Sequence, residues 1–202
     1  MEIGALILMG GKNTRMGGIV KGLLNIGEET FLDRIISNIG DFPNIYLSLN
    51  KNFTLKNIEE FENQGLNTIV DIYEEIGPLG GIYSTLKTCK EDYLFVTTCD
   101  MPFINNEFGN YLSSYLKENV DIVLCYNHEK RLYPLGAIYS KKVIPIIEEM
   151  IEEKCYKLTR LIYASNFVEI SIEDTPFSPN IFTNINTPEE YNSFMENYIS
   201  TI

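Results

Sequence analysis

The run Ile3-Gly4-Ala5-Leu6-Ile7-Leu8-Met9-Gly10-Gly11-Lys12-Asn13-Thr14-Arg15-Met16-Gly17-Gly18-Ile19-Val20-Lys21 reads as a buried strand emptying into a glycine-rich loop. The loop carries the cations Lys12, Arg15 and Lys21, and no acidic residue falls between Ile3 and Gly27. Glycines at 10, 11, 17 and 18 let the backbone approach a ligand closely, and the N–H groups around Gly10 and Gly11 can form an anion nest. Arg15 adds a planar fork suited to phosphate, and Lys21 a mobile point charge. Together these features predict a triphosphate cradle. The two familiar phosphate loops do not fit. Lys21 is followed by Gly22 rather than Ser or Thr, and the paired Gly10-Gly11 breaks the Gly-x-Gly-x-x-Gly pattern. The competing reading is an ordinary strand-to-helix turn with Arg15 and Lys21 solvated.

Working outward, short apolar runs alternate with helical spacings. Strands are predicted at Ile3 to Leu8, Ile45 to Leu49, Thr68 to Val70, Tyr93 to Thr98, Val120 to Cys125 and Leu135 to Tyr139. Helices are predicted around Phe31 to Ile39, Leu79 to Lys87, Phe108 to Leu116 and Val143 to Glu152. Thr187-Pro188-Glu189-Glu190 marks one more helix start, with Thr as N-cap, Pro at N1 and Glu at N3; that last helix is read as mostly scaffold. The alternation and the fully apolar strands predict an α/β fold of three layers, a mainly parallel (mixed) sheet covered on both faces. Residues 1–202 are read as a single domain, long enough to bury a proper core.

The formal net charge of −12 disfavours general nucleic-acid binding, which needs broad cationic patches. A small anion remains compatible if the basic residues are focused in one cleft, and the opening loop supplies that focus. No apolar stretch approaches the length of a membrane span, and the apolar start lacks a basic leader, so a cytoplasmic protein is expected. Cys89, Cys99, Cys125 and Cys155 are scattered without a Cys-x-x-Cys pair, which points to free thiols rather than a zinc cluster or disulfide scaffold. The one histidine, His128, lies in a polar turn sequence and offers little to hydrolytic or metal chemistry.

Asp71 and Asp100 each follow a predicted strand, as the glycine loop does. Parallel sheets gather ligands beyond the carboxyl ends of their strands, so the three are expected on one rim. Asp100, in Cys99-Asp100-Met101-Pro102, is placed to bind Mg²⁺, which takes one or two carboxylates and completes its shell with phosphate oxygens and waters. The alternative is that Asp100 caps the next turn. Gly77-Pro78-Leu79-Gly80-Gly81 is a second glycine-rich turn whose amides, Gly80 included, could read a base edge. Asp71 could accept from the paired N–H donors of guanine or from ribose hydroxyls, and the sequence does not separate these.

The motifs together resemble the molybdenum cofactor guanylyltransferases, nucleotidyltransferases with a Rossmann-like fold. The matching pieces are Gly10-Gly11 with Arg15-Met16-Gly17 and Lys21-Gly22-Leu23-Leu24, then Gly77 to Gly81, Cys99 to Pro102, Tyr133 to Tyr139, and Thr183-Asn184-Ile185-Asn186-Thr187-Pro188. The resemblance implies transfer of GMP from GTP to the terminal phosphate of molybdenum-bound molybdopterin, with release of pyrophosphate. It implies backbone contacts to the nucleotide from Leu8, Met9 and Gly10, and neutralisation of phosphate by Lys21. Asp71 would hold the nucleoside, Asp100 the Mg²⁺ and Arg15 the pyrophosphate, with Asn184 and Asn186 near the pterin. Transient contact with cofactor-biosynthesis proteins or molybdoenzymes is a further implication. Three positions depart from the family pattern: Val20 stands where Asp is frequent, Met9 where Ala is usual, and Ser48 where a nucleoside-contacting Asn is expected. No nucleoside contact is assigned to Ser48. The rivals are a relative using CTP or acting on a sugar phosphate, and a non-catalytic nucleotide-binding protein that delivers cofactor.

Overall fold

A computed structural model describes residues 2–9, 21–51 and 53–199, the side chains at 55, 56 and 197–199 excepted. The strands are β1 (Ile3–Leu8), β4 (Ile45–Leu49), β5 (Asn67–Val70), β6 (Tyr93–Thr98), β7 (Ile122–Tyr126), β8 (Leu132–Ser140) and β9 (Phe167–Ser171), with a small hairpin of β2 (Asn25–Ile26) and β3 (Glu29–Thr30). The helices are α1 (Phe31–Asn38), α2 (Leu55–Asn63), α3 (Pro78–Thr88), α4 (Asn106–Ser113), α5 (Ile144–Glu152), α6 (Leu158–Tyr163) and α7 (Pro188–Ile199).

The large sheet has seven strands in the order β5-β4-β1-β6-β8-β7-β9. β1 pairs in parallel with β4 and β6, β4 with β5, and β7 with β9. Only β8 runs against its neighbours, β6 and β7. The expected mainly parallel, mixed sheet is present. Alternate residues of each strand enter opposite cores, as a period of two requires. Ala5, Ile7, Leu47 and Phe95 join α1, α2 and α4 on one face. Leu6, Leu8, Leu94 and Val96 join α3, α5 and α6 on the other. The chain steps from β1 outward through β4 to β5, then returns past β1 to β6. The strand order therefore reverses between β1 and β6, the position at which open α/β sheets place their ligands.

Several boundaries differ from the sequence pattern for local reasons. α4 ends at Ser113, three residues early, because the Ser113 and Ser114 hydroxyls donate to the Asn110 and Tyr111 carbonyls and the chain tightens into a turn. β8 is longer than expected and carries an irregularity opposite Val123–Cys125, where Pro134 falls and Gly136 has φ 74°. An added Cβ at Gly136 would lie 2.8 Å from the Phe182 ring. The fully buried Tyr139 fastens this bulge by donating its hydroxyl to the Pro134 carbonyl at 2.6 Å. Tyr139→Phe removes that bond and is expected to cost about 1 kcal/mol. A thermal melt should then fall by roughly 2–4 °C for a chain of this size.

Candidate active site

Each of the parallel strands at the reversal hands on one more ladder bond beyond its end. Met9 N–H donates to Ser48 O at 3.0 Å, Cys99 N–H to Leu8 O at 3.1 Å, and Asp71 N–H to Leu49 O at 2.9 Å. These bonds set Met9, Asp71 and Asp100 along one rim. Asp71 and Asp100 are separated by three strand spacings, about 14 Å.

Gly10, Gly11 and Arg15 lie outside the described residues, while Leu8 and Met9 are buried at the end of β1. The described chain resumes at Lys21, in a short 3-10 turn from Lys21 to Leu23. Gly22 lets that turn sit down on the rim: a Cβ there would be 2.7 Å from Met9 Cε and 3.2 Å from Cys99 Cβ. Lys21 Nζ consequently donates to Asp100 Oδ2 at 3.0 Å and to Asn186 Oδ1 at 2.6 Å. The Lys21 and Asp100 side chains are each 17% exposed. The second Asp100 oxygen accepts from Thr98 Oγ1, and the Asp100 carbonyl accepts from Ile185 N–H at 3.0 Å.

Asn186 reaches this point because of α7. Thr187 Oγ1 accepts from Glu190 N–H, and Glu190 Oε2 accepts from both Thr187 N–H and Asn186 N–H, a reciprocal cap. Tyr191 and Phe194 pack on Phe31, and Tyr191 donates to Asn25 O at 2.6 Å. The last helix thus ties Asn186 to the hairpin that follows Lys21. Asn184 does not join the cluster; its amide donates to Phe182 O at 3.2 Å.

At the other end of the rim, Asp71 Oδ1 accepts from Ser48 Oγ at 2.6 Å. Burial raises the Asp71 pKa, and the Ser48 bond opposes that rise. Gly77 enters α3 at φ 65° with Pro78 at the first helical position. The Gly80 N–H is donated to Gly77 O at 3.1 Å, and a Cβ on Gly80 would lie 2.9 Å from Tyr73 O, so this glycine is explained by packing. Ser48 sat in view as a hydroxyl inside an apolar strand, but its partner is 23 residues away and no local pattern names it.

The donors around Asp100 are hard oxygens. Cys99 is buried, and burial pushes its thiol up to about 12. Among the described residues no group of three or more His, Cys, Asp and Glu could cage a metal. One carboxylate that relies on phosphate oxygens to complete the shell suits Mg²⁺, and the Asp100 site fits it on that basis. Cys89 and Cys125 are likewise buried free thiols, and His128 stands exposed in the turn between β7 and β8.

The family model of the MobA-like NTP transferase domain matches residues 5–168. A Clostridium perfringens (strain SM101 / Type A) protein named "Probable molybdenum cofactor guanylyltransferase" is 39% identical over 194 residues, 93% of each chain. The "Molybdenum cofactor guanylyltransferase" of Vibrio campbellii is 29% identical over 191 residues, 94% of this chain and 93% of that one. The crystal structure of molybdopterin-guanine dinucleotide biosynthesis protein A from Archaeoglobus fulgidus shares the fold, with a TM-score of 0.82 over 100% of both chains at 21% identity. The chain belongs to the MobA-like NTP transferase domain family, and on that ground is a nucleotidyltransferase.

Proposed function

We propose that the protein transfers GMP from GTP to the terminal phosphate of molybdenum-bound molybdopterin and releases pyrophosphate in the cytoplasm. The observation that carries this reading is the meeting of Lys21, Asp100 and Asn186 at the sheet's reversal point. The relatives' names support the guanylyl and molybdenum-cofactor parts. Among the described residues no helix is long and apolar enough to cross a membrane.

In this mechanism an acceptor phosphate oxygen forms a bond to the α-phosphorus. The bond from that phosphorus to the bridging oxygen breaks, and its electron pair leaves with pyrophosphate. The nucleophile is already anionic, so no general base is required, and catalysis consists of alignment and charge neutralisation. Asp71 holds the nucleoside and the backbone after β1 receives the phosphates. Lys21 moves its charge from Asp100 to the triphosphate, and Arg15 stabilises the departing pyrophosphate. Asp100 would hold Mg²⁺, which supplies Lewis-acid neutralisation of phosphate oxygens when bound. Asn186, released by Lys21, and the neighbouring Asn184 face the acceptor. Cofactor-biosynthesis proteins or molybdoenzymes would be the transient partners that bring acceptor or take product.

Thermal shifts with Mg-GTP and Mg-CTP test the base assignment. At a hundred times its dissociation constant the correct nucleotide adds about 2.7 kcal/mol, a rise of roughly 5–11 °C. GTP is expected to give the larger shift. A larger shift with CTP overturns the guanine assignment. Nucleotide binding without pyrophosphate release in the presence of acceptor overturns the catalytic one.

A further inference from the structure

Two serines lie wholly inside the protein around the Asp71 end of the rim. Ser48 is 1% exposed and Ser84 is 0% exposed, so neither can touch a bound substrate. Ser48, on β4, donates to the Asp71 carboxylate at 2.6 Å. Ser84, on α3, accepts from Ile72 N–H at 2.8 Å and donates to Gly80 O at 2.7 Å. The first bond holds the Asp71 side chain. The second pair holds the backbone just after it against the first turn of α3. Gly81 brings the helix so close that a Cβ there would meet Ser48 Oγ at 2.2 Å, so α3 packs directly on Ser48.

We propose that Ser48 and Ser84 are positioning residues that fix Asp71 for the nucleoside. Ser48 occupies one carboxylate oxygen, and among the described residues no donor reaches the other, Oδ2. One oxygen is therefore anchored while its twin is offered to the ligand. A half-buried carboxylate at the end of an edge strand would otherwise sample several rotamers, and a ligand would have to freeze it on binding. The two hydroxyls meet that cost during folding. Affinity for the nucleoside is thereby set through Asp71 by a residue the nucleoside does not touch.

The inference rests on Asp71 holding the nucleoside, and two probes separate the possibilities. Mg-GTP carries a nucleoside, and Mg-tripolyphosphate carries only the phosphates. Isothermal titration of Ser48→Ala is expected to show GTP affinity falling about tenfold, with tripolyphosphate affinity unchanged. In turnover assays the KM for GTP should rise while kcat holds. In an Asp71→Ala background, Ser48→Ala should cost nothing further, since the carboxylate it serves is gone. If Ser48→Ala does not fold, Ser84→Ala, a favourable exchange within a helix, carries the same expectation. Equal losses for both probes mean a general structural role and overturn the proposal, as does unchanged GTP affinity. If Asp71→Ala itself keeps full GTP affinity, the nucleoside assignment fails along with it. If Asp71→Ala loses affinity and the serine variants do not, only the positioning role fails.

Discussion

Asp100→Asn is expected to fold normally and to lose about 10²–10³ in kcat, the cost of removing one group that steadies transition-state charge, roughly 2.7–4 kcal/mol. The exchange preserves shape, so Thr98 can still donate to the side-chain oxygen and Ile185 N–H still finds the residue 100 carbonyl. The charge goes, and the oxygen that faced Lys21 becomes an amide donor. Lys21 loses its anionic partner at a position 17% exposed, and Asn186 remains as its acceptor. Stability should therefore fall by about 1 kcal/mol, a few degrees in a melt. The two readouts pull apart by design. A large loss of turnover with a small change in melting temperature places Asp100 in the chemistry. Near-normal turnover at saturating Mg²⁺ would make the residue a turn cap, the alternative that Cys99-Asp100-Met101-Pro102 also permits.

Much of this arrangement was legible in the chain because its signals are local. Ile3 to Leu8, Ile45 to Leu49 and Tyr93 to Thr98 are apolar runs too short for helices, and each became a parallel strand within a residue of its expected bounds. Asp71 and Asp100 followed such runs and stand at the same rim. The elements that escaped have weaker local signatures. β2 and β3 are two residues each, and α6 is six. β9 reads Phe-Val-Glu-Ile-Ser and gains its identity from parallel pairing with β7, a contact no spacing announces. α2 is marked by the Thr54–Asn57 capping box at its start, a signal present in the sequence and passed over. The site divides in the same way. The glycine loop nominated Lys21 and the family resemblance Asn186, but their hydrogen bond spans 165 residues and depends on how α7 docks. The cap at Thr187 was plain from Pro188 and Glu190. Its use in holding Asn186 beside Lys21 was not, because that is a property of packing.

Gly81→Ala is the substitution that should disturb the fold most for the fewest atoms. In an exposed helix the exchange would help, by about 1 kcal/mol, since alanine favours helix and glycine does not. Here the added methyl would lie 2.2 Å from Ser48 Oγ, 2.5 Å from Leu8 Cδ2 and 2.9 Å from Ser48 Cβ. The last of these is no flexible tip, so Ser48 cannot simply turn aside. β4 and α3 have to separate, which breaks packing on a face where Leu8, Leu79 and Ile82 are all buried. Overpacking typically costs 1–3 kcal/mol, and three close approaches at once put this case at the upper end. Sterics outweigh propensity, and a net loss of about 2 kcal/mol should lower the melting temperature by roughly 4–8 °C. The same displacement pulls Ser48 from Asp71, so Mg-GTP affinity should drop while Mg-tripolyphosphate is still bound by the phosphate end of the rim. A variant more stable than the parent would mean that α3 does not lie this close to β4, and the support drawn for Asp71 would go with it.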